Sequence, residues 1–395
     1  MHVLLIEALL SGHHSIYLEK IALAFHHQGY KLTIALPKGV GMLEEFKKRL
    51  ESFSVEIAWV EYTLLANLDE TGIWGLIKRE YLTRKSFIEA FHLANNNKQV
   101  NQVFLPYIDY CLYGLGIIGS AFENVKFGGI CMRPAFHYQA SGVIAPRAKF
   151  ENIKNIVFNR LLRHKNLNRL FSIDKLLVEY VKERTPSHAH RLGFLPDPAD
   201  EPHSVDISQI RVNLNTPLNA KVILVYGAID RRKGIEILLD TLETKSGLSE
   251  WHIWLIGRQS KDVRDLLSGD RWIKLKSTSR IQTCDAFVSW EIENQVFGAC
   301  DWVWAVYQRH YAMSGVIVRA GMHKKPIVGC SEGLIGWHIK NNFIGKAINI
   351  PPPISGGLID EIEYDLKSTF GENGYLTFHG HTWKNFQKII VSEIS

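Results

Sequence analysis

The sequence predicts an α/β protein built from two doubly wound parallel sheets. In both halves of the 395-residue chain, short β-branched or aliphatic runs alternate with longer segments of helical periodicity, which is the pattern of βαβ units with parallel strands. At roughly 100 to 200 residues per domain, this length indicates two or three domains. Pro196, Pro198 and Pro202 stand among acidic residues, and such a break is typical of an interdomain linker. Two sheets in one chain leave a cleft between them.

The first half begins with a βαβ unit. Residues 3–7 are a predicted strand, 16–28 a helix, and 31–36 a second strand closed by Pro37. A strand, a helix and a strand within about 35 residues imply a parallel pair with the helix on one face. Further strands are predicted at 55–60, 102–105 and 128–132, and further helices at 43–50 and 87–94.

The alternation is clearer from Lys221 onward, where 222–227 is predicted to be a buried strand. Later predicted strands lie at 251–257, 273–275, 286–289, 302–306 and 326–329, with helices at 234–242, 261–267 and 383–394. Pro351–Pro353 and Gly356–Gly357 predict a loop at the end of this half. We therefore divide the chain into a Rossmann-like domain at 1–195, a second one at 196–380, and a C-terminal helix at 381–395 that packs on the first domain.

Residues 149–182 have a different texture. They are predicted to form a long helical region with Ile153, Ile156, Val157, Leu161 and Leu162 on one side and basic residues elsewhere. A basic amphipathic helix can lie on an anionic membrane surface. An ordinary domain helix with a solvated basic face explains the same pattern and is the preferred interpretation.

Composition narrows the partners and the compartment. Lys plus Arg exceed Asp plus Glu by 46 to 40, giving a net charge of +6, which is small for a nucleic-acid-binding protein and compatible with an anionic small ligand. The five cysteines form no Cys-x-x-Cys pair, so we expect core residues in a reducing, cytoplasmic compartment. No basic leader region precedes the first apolar run, and the longest apolar stretch, 107–122, is too short to span a membrane.

The most informative local sequence is 226–234. A buried strand ends in Gly227, and Arg231, Arg232 and Lys233 precede Gly234, which opens a helix. Ligands bind at the carboxyl ends of strands in open α/β sheets, and cations beside a helix N-terminus suit a phosphate or a diphosphate. An exposed basic turn without a ligand is the alternative interpretation.

A second strand-to-helix turn is centred on Ser314 and Gly315. It follows the predicted strand at 302–306 and opens a helix that leads to the next strand, so the amides of Ser314 and Gly315 would lie free at a helix N-terminus, ready for an anion. A purely structural turn is the alternative. The glycine-containing turn at 331–336 follows the next strand and would face the same cleft.

These segments, in this order, resemble the GT-B glycosyltransferases, in particular glycosyltransferase family 4, over most of the chain. In the second half the resemblance rests on 225–234, 255–257, 287–289 with Glu291, 299–301, and the Ser314–Gly315 helix with 325–328. The first half adds 11–14 after the first strand and 28–33, and Trp383 opens the last helix much as in family members. The resemblance implies a GT-B fold in which the first domain lies on the acceptor side and the second binds a nucleotide sugar.

The resemblance also implies roles for individual residues. The main clamp for the donor diphosphate would be Arg232 and Lys233, supported by Arg231 and by the amides at Ser314 and Gly315. A histidine after a strand of the first domain would face the donor sugar, which indicates His137 as catalytic, with a packed histidine as the alternative. Gly12 and His13, on the turn after the first strand, would lie near the substrates, although His13 and His14 would also serve as simple polar caps.

Two departures from the family pattern matter. The family usually has an arginine directly after the glycine that ends the strand, and this chain has Ala228, so Arg231 or Arg232 must replace that arginine. The family's paired glutamates fall at Tyr311 and Arg319, and neither residue is acidic. Arg319, which we count among the donor-binding residues, cannot accept hydrogen bonds from the donor ribose as a glutamate does. Either the nucleotide is held differently or catalysis is altered.

The expected function is transfer of a sugar from a nucleotide-diphosphate sugar to a glycan, lipid-linked or small-molecule acceptor. The resemblance implies retention of anomeric configuration, no obligatory metal and no cofactor beyond the donor, and the sequence has no convincing Asp-x-Asp metal motif. Together with the basic helix near 153–169 it also suggests peripheral association with the inner face of a membrane. The alternatives are a binder of glycan or nucleotide without turnover, and an epimerase or sugar phosphorylase on the same fold. No P-loop, nucleophile-elbow or His-Glu-x-x-His motif is present.

Overall fold

The structure, a computed structural model, describes residues 1–243, 250–349 and 372–394. It divides into two compact units. The first comprises Met1–Ser141, Arg147–Pro196 and the segment that starts at Trp383, and the second comprises Gly142–Pro146 and Asp197–Thr382. The chain leaves the first unit within the proline cluster, at Pro196, whereas 142–146, which the sequence assigned to the first domain, belong to the second unit.

The first unit is built on a 7-stranded sheet in the order β3-β2-β1-β4-β5-β6-β7, with every neighbouring pair parallel. Helices can cover both faces of such a sheet, and β1 and β4 are accordingly buried along their whole length. The strands are β1 His2–Ile6, β2 Lys31–Pro37, β3 Ile57–Tyr62, β4 Gln102–Leu105, β5 Lys126–Cys131, β6 Leu167–Ser172 and β7 Leu192–Phe194.

The helices of this unit connect the parallel strands. They are α1 His13–His27, α2 Leu43–Glu51, α3 Gly72–Asn97, α4 Leu112–Ile118, α5 Glu151–Leu162, α6 Lys175–Arg184 and α7 Pro186–Ala189. The prediction of one long helical region at 149–182 is wrong, because β6 separates α5 from α6 and pairs with β5. Within this basic segment the helical pattern holds as far as Leu162 and again from Lys175, whereas at 167–172 sheet pairing decides the backbone conformation.

The second unit contains a 6-stranded parallel sheet in the order β10-β9-β8-β11-β12-β13. Its strands are β8 Lys221–Tyr226, β9 Trp251–Ile256, β10 Ile281–Cys284, β11 Trp302–Ala305, β12 Ile327–Cys330 and β13 Gly345–Ile348. Successive side chains of a strand point to opposite faces, so in β8 Val222 and Leu224 pack into one hydrophobic cluster while Ile223 and Val225 pack into another. The predicted α/β class with two doubly wound parallel sheets is confirmed.

The described helices of the second unit are α8 Ile207–Asn213, α9 Ile235–Glu243, α10 Lys261–Ser268, α11 Asp270–Ser277, α12 Trp290–Ala299, α13 Gly315–Met322, α14 Gly333–Asn342 and α15 Glu372–Tyr375. The predicted strand at 273–275 is wrong, since it lies inside α11, and the predicted strand at 286–289 is wrong because the edge strand is β10, a few residues earlier. Short apolar runs do not distinguish helix from strand by periodicity. The loop predicted at 351–357 lies outside the described residues.

The last helix, α16 Trp383–Ile394, belongs to the first unit and packs on α1. The ring of Tyr17 in α1 meets Trp383 and Phe386 edge-on, with centroids 5.5 and 5.2 Å away. The amide of Gln387 donates to the backbone carbonyl of Lys20 at 2.8 Å. Apolar residues at helical spacing, with aromatic rings at the start of the helix, thus fix α16 to this unit.

Membrane-spanning helices are the first of two features that the sequence addressed for the whole chain. None of the helices that the structure describes is both long enough and apolar enough to cross a bilayer.

The second feature is the state of the cysteines. All five are free thiols: Cys284 is half-buried, and Cys111, Cys131, Cys300 and Cys330 are buried. The prediction that the cysteines are core residues is therefore confirmed for four of them, and Cys284 lies partly outside the core.

Candidate functional site

In each sheet the strand order reverses at one point. In the second sheet, β8 and β11 are neighbours, with β9 and β10 on one side and β12 and β13 on the other. Ligands of open α/β sheets bind at such a switch point, beyond the carboxyl ends of the strands. In the second unit this position is formed by the loops that follow Tyr226 and Ala305.

Lys233 lies at this edge with only 5% of its surface exposed. A single 3-10 turn at 231–233 ends at Gly234, whose φ of 66° is left-handed, and a Cβ at Gly234 would lie 2.5 Å from the carbonyl oxygen of Val306. Only glycine therefore allows this turn to close against the loop after β11.

The ammonium of Lys233 has neutral partners. Its Nζ donates to the backbone carbonyl of Tyr226 and to Oη of Tyr307, the latter at 3.1 Å, and lies 4.7 Å from the centre of the Tyr307 ring. No carboxylate in the described part of the chain forms an ion pair with it. Because a buried ammonium is costly without a counter-charge, this arrangement favours an anionic ligand.

The two arginines before Lys233 point to different neighbours. Nη1 of Arg232 lies 3.2 Å from Nδ1 of His310, and the backbone carbonyl of Arg232 accepts from the amide of Gln308 at 2.7 Å. Burial and the nearby Arg232 charge lower the pKa of His310, which leaves its imidazole neutral near pH 7. Arg231 instead pairs with Glu236 and Asp262 at 3.8 and 3.6 Å. Arg232 thus joins the loop after β11, and Arg231 is directed towards α9 and α10.

Ser314 and Gly315 form the start of α13, as the sequence predicted. Ser314 is the N-cap, and its Oγ accepts from the amide of Val316 at 3.4 Å. The turn that begins α14 lies against the preceding loop, since a Cβ at Gly333 would be 2.6 Å from Cα of Tyr311, and the amide of Leu334 donates to the Tyr311 carbonyl at 2.9 Å. The loops after β8, β11 and β12 are therefore connected along one edge of this sheet.

Arg319, on the second turn of α13, is paired with a carboxylate from another helix. Its Nε lies 2.7 Å from Oε1 of Glu293 in α12, and its Nη1 donates to the carbonyl of Gly315 at 3.0 Å. Oε2 of Glu293 accepts from the hydroxyl of Tyr226 at 2.6 Å. Burial and the Glu293 carboxylate raise the pKa of Tyr226, so this hydroxyl remains a donor. A carboxylate thus lies at the carboxyl end of β8 although residue 319 is an arginine.

The switch point of the first sheet, between β1 and β4, carries a buried carboxylate and a histidine. Oε1 of Glu7 accepts from the amide of Ala8 at 2.8 Å and lies 3.1 Å from Nδ1 of His14 in α1. Glu7 is 1% exposed, and its Oε2 has no hydrogen-bond partner among the described residues. A carboxylate that holds Nδ1 orients the imidazole and leaves Nε2 for another group.

Aromatic and charged residues from the neighbouring strands surround this pair. The ring of Tyr107 lies 4.6 Å from that of His14, and the guanidinium of Arg133 lies 5.2 Å from the ring centres of both Tyr107 and Tyr110. Asp109 accepts from the amides of Met132 and Arg133 at 2.8 and 2.9 Å, and burial raises the pKa of its carboxyl to about 6. We call Glu7, His14, Tyr107, Tyr110 and Arg133 the first-unit cluster.

Gly12 and His13 adjoin the first-unit cluster. Gly12 precedes α1 with a φ of 61°, and the ring of His13 stacks on that of His14 with centroids 4.4 Å apart. His137 lies elsewhere in this unit, with no exposed surface, and its Nε2 is 2.8 Å from Oδ2 of Asp174, the N-cap of α6. The structure thus puts His137 in a packed environment, and its catalytic role stays a prediction.

The sequence reasoning missed several residues of both edges. These are Glu7, Tyr107 and Arg133 in the first unit and Tyr226, Glu293 and Tyr307 in the second. Tyr226 ends a strand that flanks a switch point, and Glu7 and Tyr307 follow such strands within two residues, so strand position was the available signal. Glu293 had none, because its role depends on the packing of α12 against β8. Among the described residues, no group of three or more His, Cys, Asp or Glu is arranged to hold a metal ion.

Comparison with known proteins gives weak sequence matches and strong structural ones. No protein-family model matches the chain. The lipopolysaccharide core biosynthesis glycosyltransferase LpsE of Rhizobium meliloti strain 1021 is 24% identical over 173 residues, which span 43% of this chain and only 48% of LpsE. The structure of Anabaena Alr3699/HepE in complex with UDP superposes with a TM-score of 0.66 at 16% identity, and the match covers 99% of both chains.

A second solved structure leads to the same fold. The apo form of the lipopolysaccharide outer core galactosyltransferase WaaB has a TM-score of 0.60 at 14% identity, covering 100% of this chain and 99% of WaaB. The chain has the GT-B fold. Since these identities are low, the likeness establishes the fold, and the expectation of two Rossmann-like domains of GT-B type is confirmed.

Proposed function

We propose that this protein is a glycosyltransferase that moves a sugar from a nucleoside-diphosphate sugar to a hydroxyl-bearing acceptor. The observation that carries the proposal is the buried ammonium of Lys233 at the carboxyl end of β8, which has a carbonyl and a phenol but no carboxylate as described partners. A diphosphate supplies the missing negative charge. The resemblance to LpsE over part of the chain and the GT-B fold support this reading.

The proposed chemistry requires stabilisation of a leaving diphosphate. Negative charge grows on the phosphate oxygens as the glycosidic bond breaks, and prearranged cations and amides stabilise that charge without reorganisation. Lys233 and Arg232 supply the cations, and the first amides of α13, after Ser314, supply neutral donors. Removing one such donor typically lowers turnover by ~100-fold, or about 3 kcal/mol.

We further propose that Glu293 takes the place of the glutamate that the family has at position 319. Its carboxylate is held by Arg319 and Tyr226, and each of its oxygens keeps a lone pair for a further donor. The hydroxyls of the donor ribose are such donors. Arg319 then acts as a positioning residue, because it fixes the carboxylate without touching the nucleotide.

The acceptor is assigned to the first-unit cluster. Tyrosine rings, an arginine and a buried carboxylate suit a polyhydroxylated ligand, since the rings cover the apolar faces of a sugar and the charged groups bind its hydroxyls. Glycan, lipid-linked and small-molecule acceptors all present such hydroxyls. Retention of configuration and independence of metal belong to this proposal through the resemblance. A cytoplasmic location rests also on the unpaired cysteines, and association at the inner face of a membrane rests also on the basic helix near 153–169.

Thermal unfolding with a panel of nucleoside diphosphates, in the presence of a chelator, tests the donor site. A ligand at about 100 times its Kd adds ~2.7 kcal/mol of stability. We expect stabilisation of the wild type by at least one of them, UDP being the first to try, loss of the effect in Lys233→Ala, and its preservation in the control Lys340→Ala, an exposed lysine of the same unit. No effect of any nucleoside diphosphate on the wild type would contradict the proposal.

Turnover is tested separately from binding. With the stabilising nucleotide identified, release of nucleoside diphosphate from its sugar conjugate is measured without acceptor and then with candidate glycans. A transferase shows slow hydrolysis that an acceptor accelerates, and Lys233→Ala reduces both rates. Nucleotide binding with no release under any condition would favour a non-catalytic binder.

A further inference from the structure

Helix α3 exposes apolar and aromatic residues on its outer face. Trp74 is 80% exposed, Ile77 52% and Tyr81 53%. They are spaced three and four residues apart, so they lie on one side of the helix over its first turns. Lys78 and Lys85 are exposed on the same side. A soluble surface helix normally turns its tryptophan inward, so this face is unusual.

Helix α4 lies between α3 and α5 in close contact with both. A Cβ at Gly114 would be 3.0 Å from the carbonyl oxygen of Glu80 in α3, and a Cβ at Gly116 would be 2.6 Å from that of Val157 in α5. The side chain of Glu80 also accepts from the amides of Tyr113 and Gly114, both at 3.0 Å. The three helices therefore form one layer, and Ile117 of α4, 55% exposed, lies within it.

Helix α5 adds a second apolar patch with cations at its end. Ile153 is 58% exposed and Ile156 67%, and Arg160 and Arg163 follow on the same side at helical spacing. The sequence put these isoleucines on one apolar side with Val157, Leu161 and Leu162, but only those three are buried. The helix thus has a buried apolar side and a separate exposed face that combines isoleucine with arginine.

The charge of this layer is one-sided. The structure describes every residue of α3, α4 and α5. Their acidic residues are Glu80, which is buried, and Glu89 and Glu151, which are half-buried, so no exposed position in these helices is acidic. Two acidic residues outside these helices pair with α3: Glu70 lies 2.6 Å from Lys78, and Glu123 lies 3.7 Å from His92. Lys85 and Arg160 form no ion pair with the described residues. An exposed surface that combines tryptophan, tyrosine and isoleucine with such cations complements an anionic lipid surface.

We propose that this layer is a membrane-docking face whose occupant is a bilayer that contains anionic lipid. Trp74, Ile77, Ile153 and Ile156 enter the headgroup region, and Lys85 and Arg160 meet the lipid phosphates. Each cation near such a surface contributes about 1 kcal/mol, which salt weakens. The basic helix that the sequence singled out is one third of this face, and α3 supplies its aromatic part. The proposal does not depend on the donor site, because it rests on the surface of the first unit alone.

Vesicle flotation of the full chain tests the proposal. Neutral phosphatidylcholine vesicles are compared with vesicles in which about a third of the lipid is phosphatidylglycerol. We expect the wild type to bind the anionic vesicles and to lose that binding in high salt. The double variant Trp74→Ser, Ile156→Ser should bind at least ~10-fold more weakly, since two large apolar groups no longer enter the bilayer. Arg160→Glu should weaken binding several-fold.

A matched control and a folding check accompany these variants. Phe287→Ser removes an aromatic residue that is 86% exposed in the second unit, and its vesicle binding should equal that of the wild type. Each variant is also measured for thermal stability, which should not change. Absence of vesicle binding by the wild type, or equal loss in Phe287→Ser, overturns the proposal. So does a dimer in sedimentation experiments without lipid that Trp74→Ser converts to monomer, because the face then serves self-association.

Discussion

Nε of Arg319 lies 2.7 Å from Oε1 of Glu293, so an arginine on α13 and a glutamate on α12 form a partly buried ion pair. Residue 319 is the position where the family resemblance calls for a glutamate. Through this pair Glu293 places a carboxylate next to residue 319, although the carboxylate belongs to α12 and not to α13. An arginine at residue 319 therefore does not exclude a carboxylate beside Tyr226.

The first prediction concerns recognition of the donor ribose by Glu293. If its carboxylate accepts from the ribose hydroxyls, the wild type should bind UDP about 10-fold more tightly than 2′,3′-dideoxy-UDP, because a hydrogen bond to a charged group contributes ~1.5–3 kcal/mol. In Glu293→Gln this difference should shrink severalfold. Isothermal titration of both nucleotides measures it.

The control for this experiment is Glu291→Gln, which changes an exposed carboxylate on the same helix. It should leave the discrimination between the two nucleotides unchanged. Equal discrimination in the wild type and Glu293→Gln would show that the carboxylate serves only its partners Arg319 and Tyr226.

The second prediction separates the stability of the second unit from its affinity for a diphosphate. Lys233→Met keeps the length of the side chain and removes a buried charge whose described partners are neutral. The lost hydrogen bonds and the relieved desolvation oppose each other, so the free energy of unfolding without ligand should change by less than ~1–2 kcal/mol. Affinity for UDP should fall by at least ~10-fold. A large loss of stability with unchanged UDP affinity would instead make Lys233 a structural residue.

Much of the fold follows from the sequence alone. Alternation of aliphatic runs and helical segments predicted β1, β2, β8 and β9 within a residue or two, because fully buried parallel strands are continuous apolar runs. The same pattern gave the wrong element at 273–275, which is helical, and at 167–172, which is a strand. Short apolar runs fit a helix or a strand equally well, and pairing with neighbouring strands decides between them. The sequence also predicted the positions of Lys233, shortly after β8, and of Ser314 and Gly315, at the start of α13.

The rest of the site depends on contacts between distant segments. Glu293 and Tyr226 are 67 residues apart in the chain and meet only through the packing of α12 on β8. Arg133 and Tyr107 are likewise distant in the chain. The guanidinium of Arg133 meets the ring of Tyr107 because β4 and β5 are neighbours in the sheet. His137 also depends on its surroundings: the resemblance implied that it faces the donor sugar, and in the structure it is fully buried beside rings such as that of Tyr138, so its catalytic role stays a prediction.

The third prediction assigns Glu7 to the acceptor side. Glu7→Gln keeps an oxygen for the amide of Ala8 and for His14 but removes the negative charge of a carboxylate whose Oε2 has no described partner. Transfer to an acceptor should fall by at least ~10-fold, with KM for the acceptor raised, while stabilisation by UDP remains that of the wild type. Glu44→Gln, at an exposed carboxylate on α2, is the control. Loss of UDP binding in Glu7→Gln would contradict an acceptor-side role.

The last prediction concerns the pH dependence of stability through Glu80. Burial raises the pKa of this carboxyl from its ordinary value of 4.5 to about 8, and its two hydrogen bonds from Gly114 and Tyr113 only partly oppose the shift. Between these two pH values the folded protein holds a proton that the unfolded chain has released. Stability should therefore fall as the pH rises from about 5 to 8, by up to ~1.4 kcal/mol per pH unit for this group.

Glu80→Gln isolates this contribution, because glutamine imitates the protonated carboxyl and can still accept from both amides of α4. Denaturant unfolding at several pH values should give a difference between variant and wild type that is small near pH 5 and grows in favour of the variant up to about pH 8. Above that pH the difference should be constant. A difference that does not vary with pH would mean that Glu80 titrates in the folded protein as it does in the unfolded chain. The control is Glu44→Gln, whose free energy of unfolding should change with pH as that of the wild type does, because an exposed carboxylate does not produce the effect.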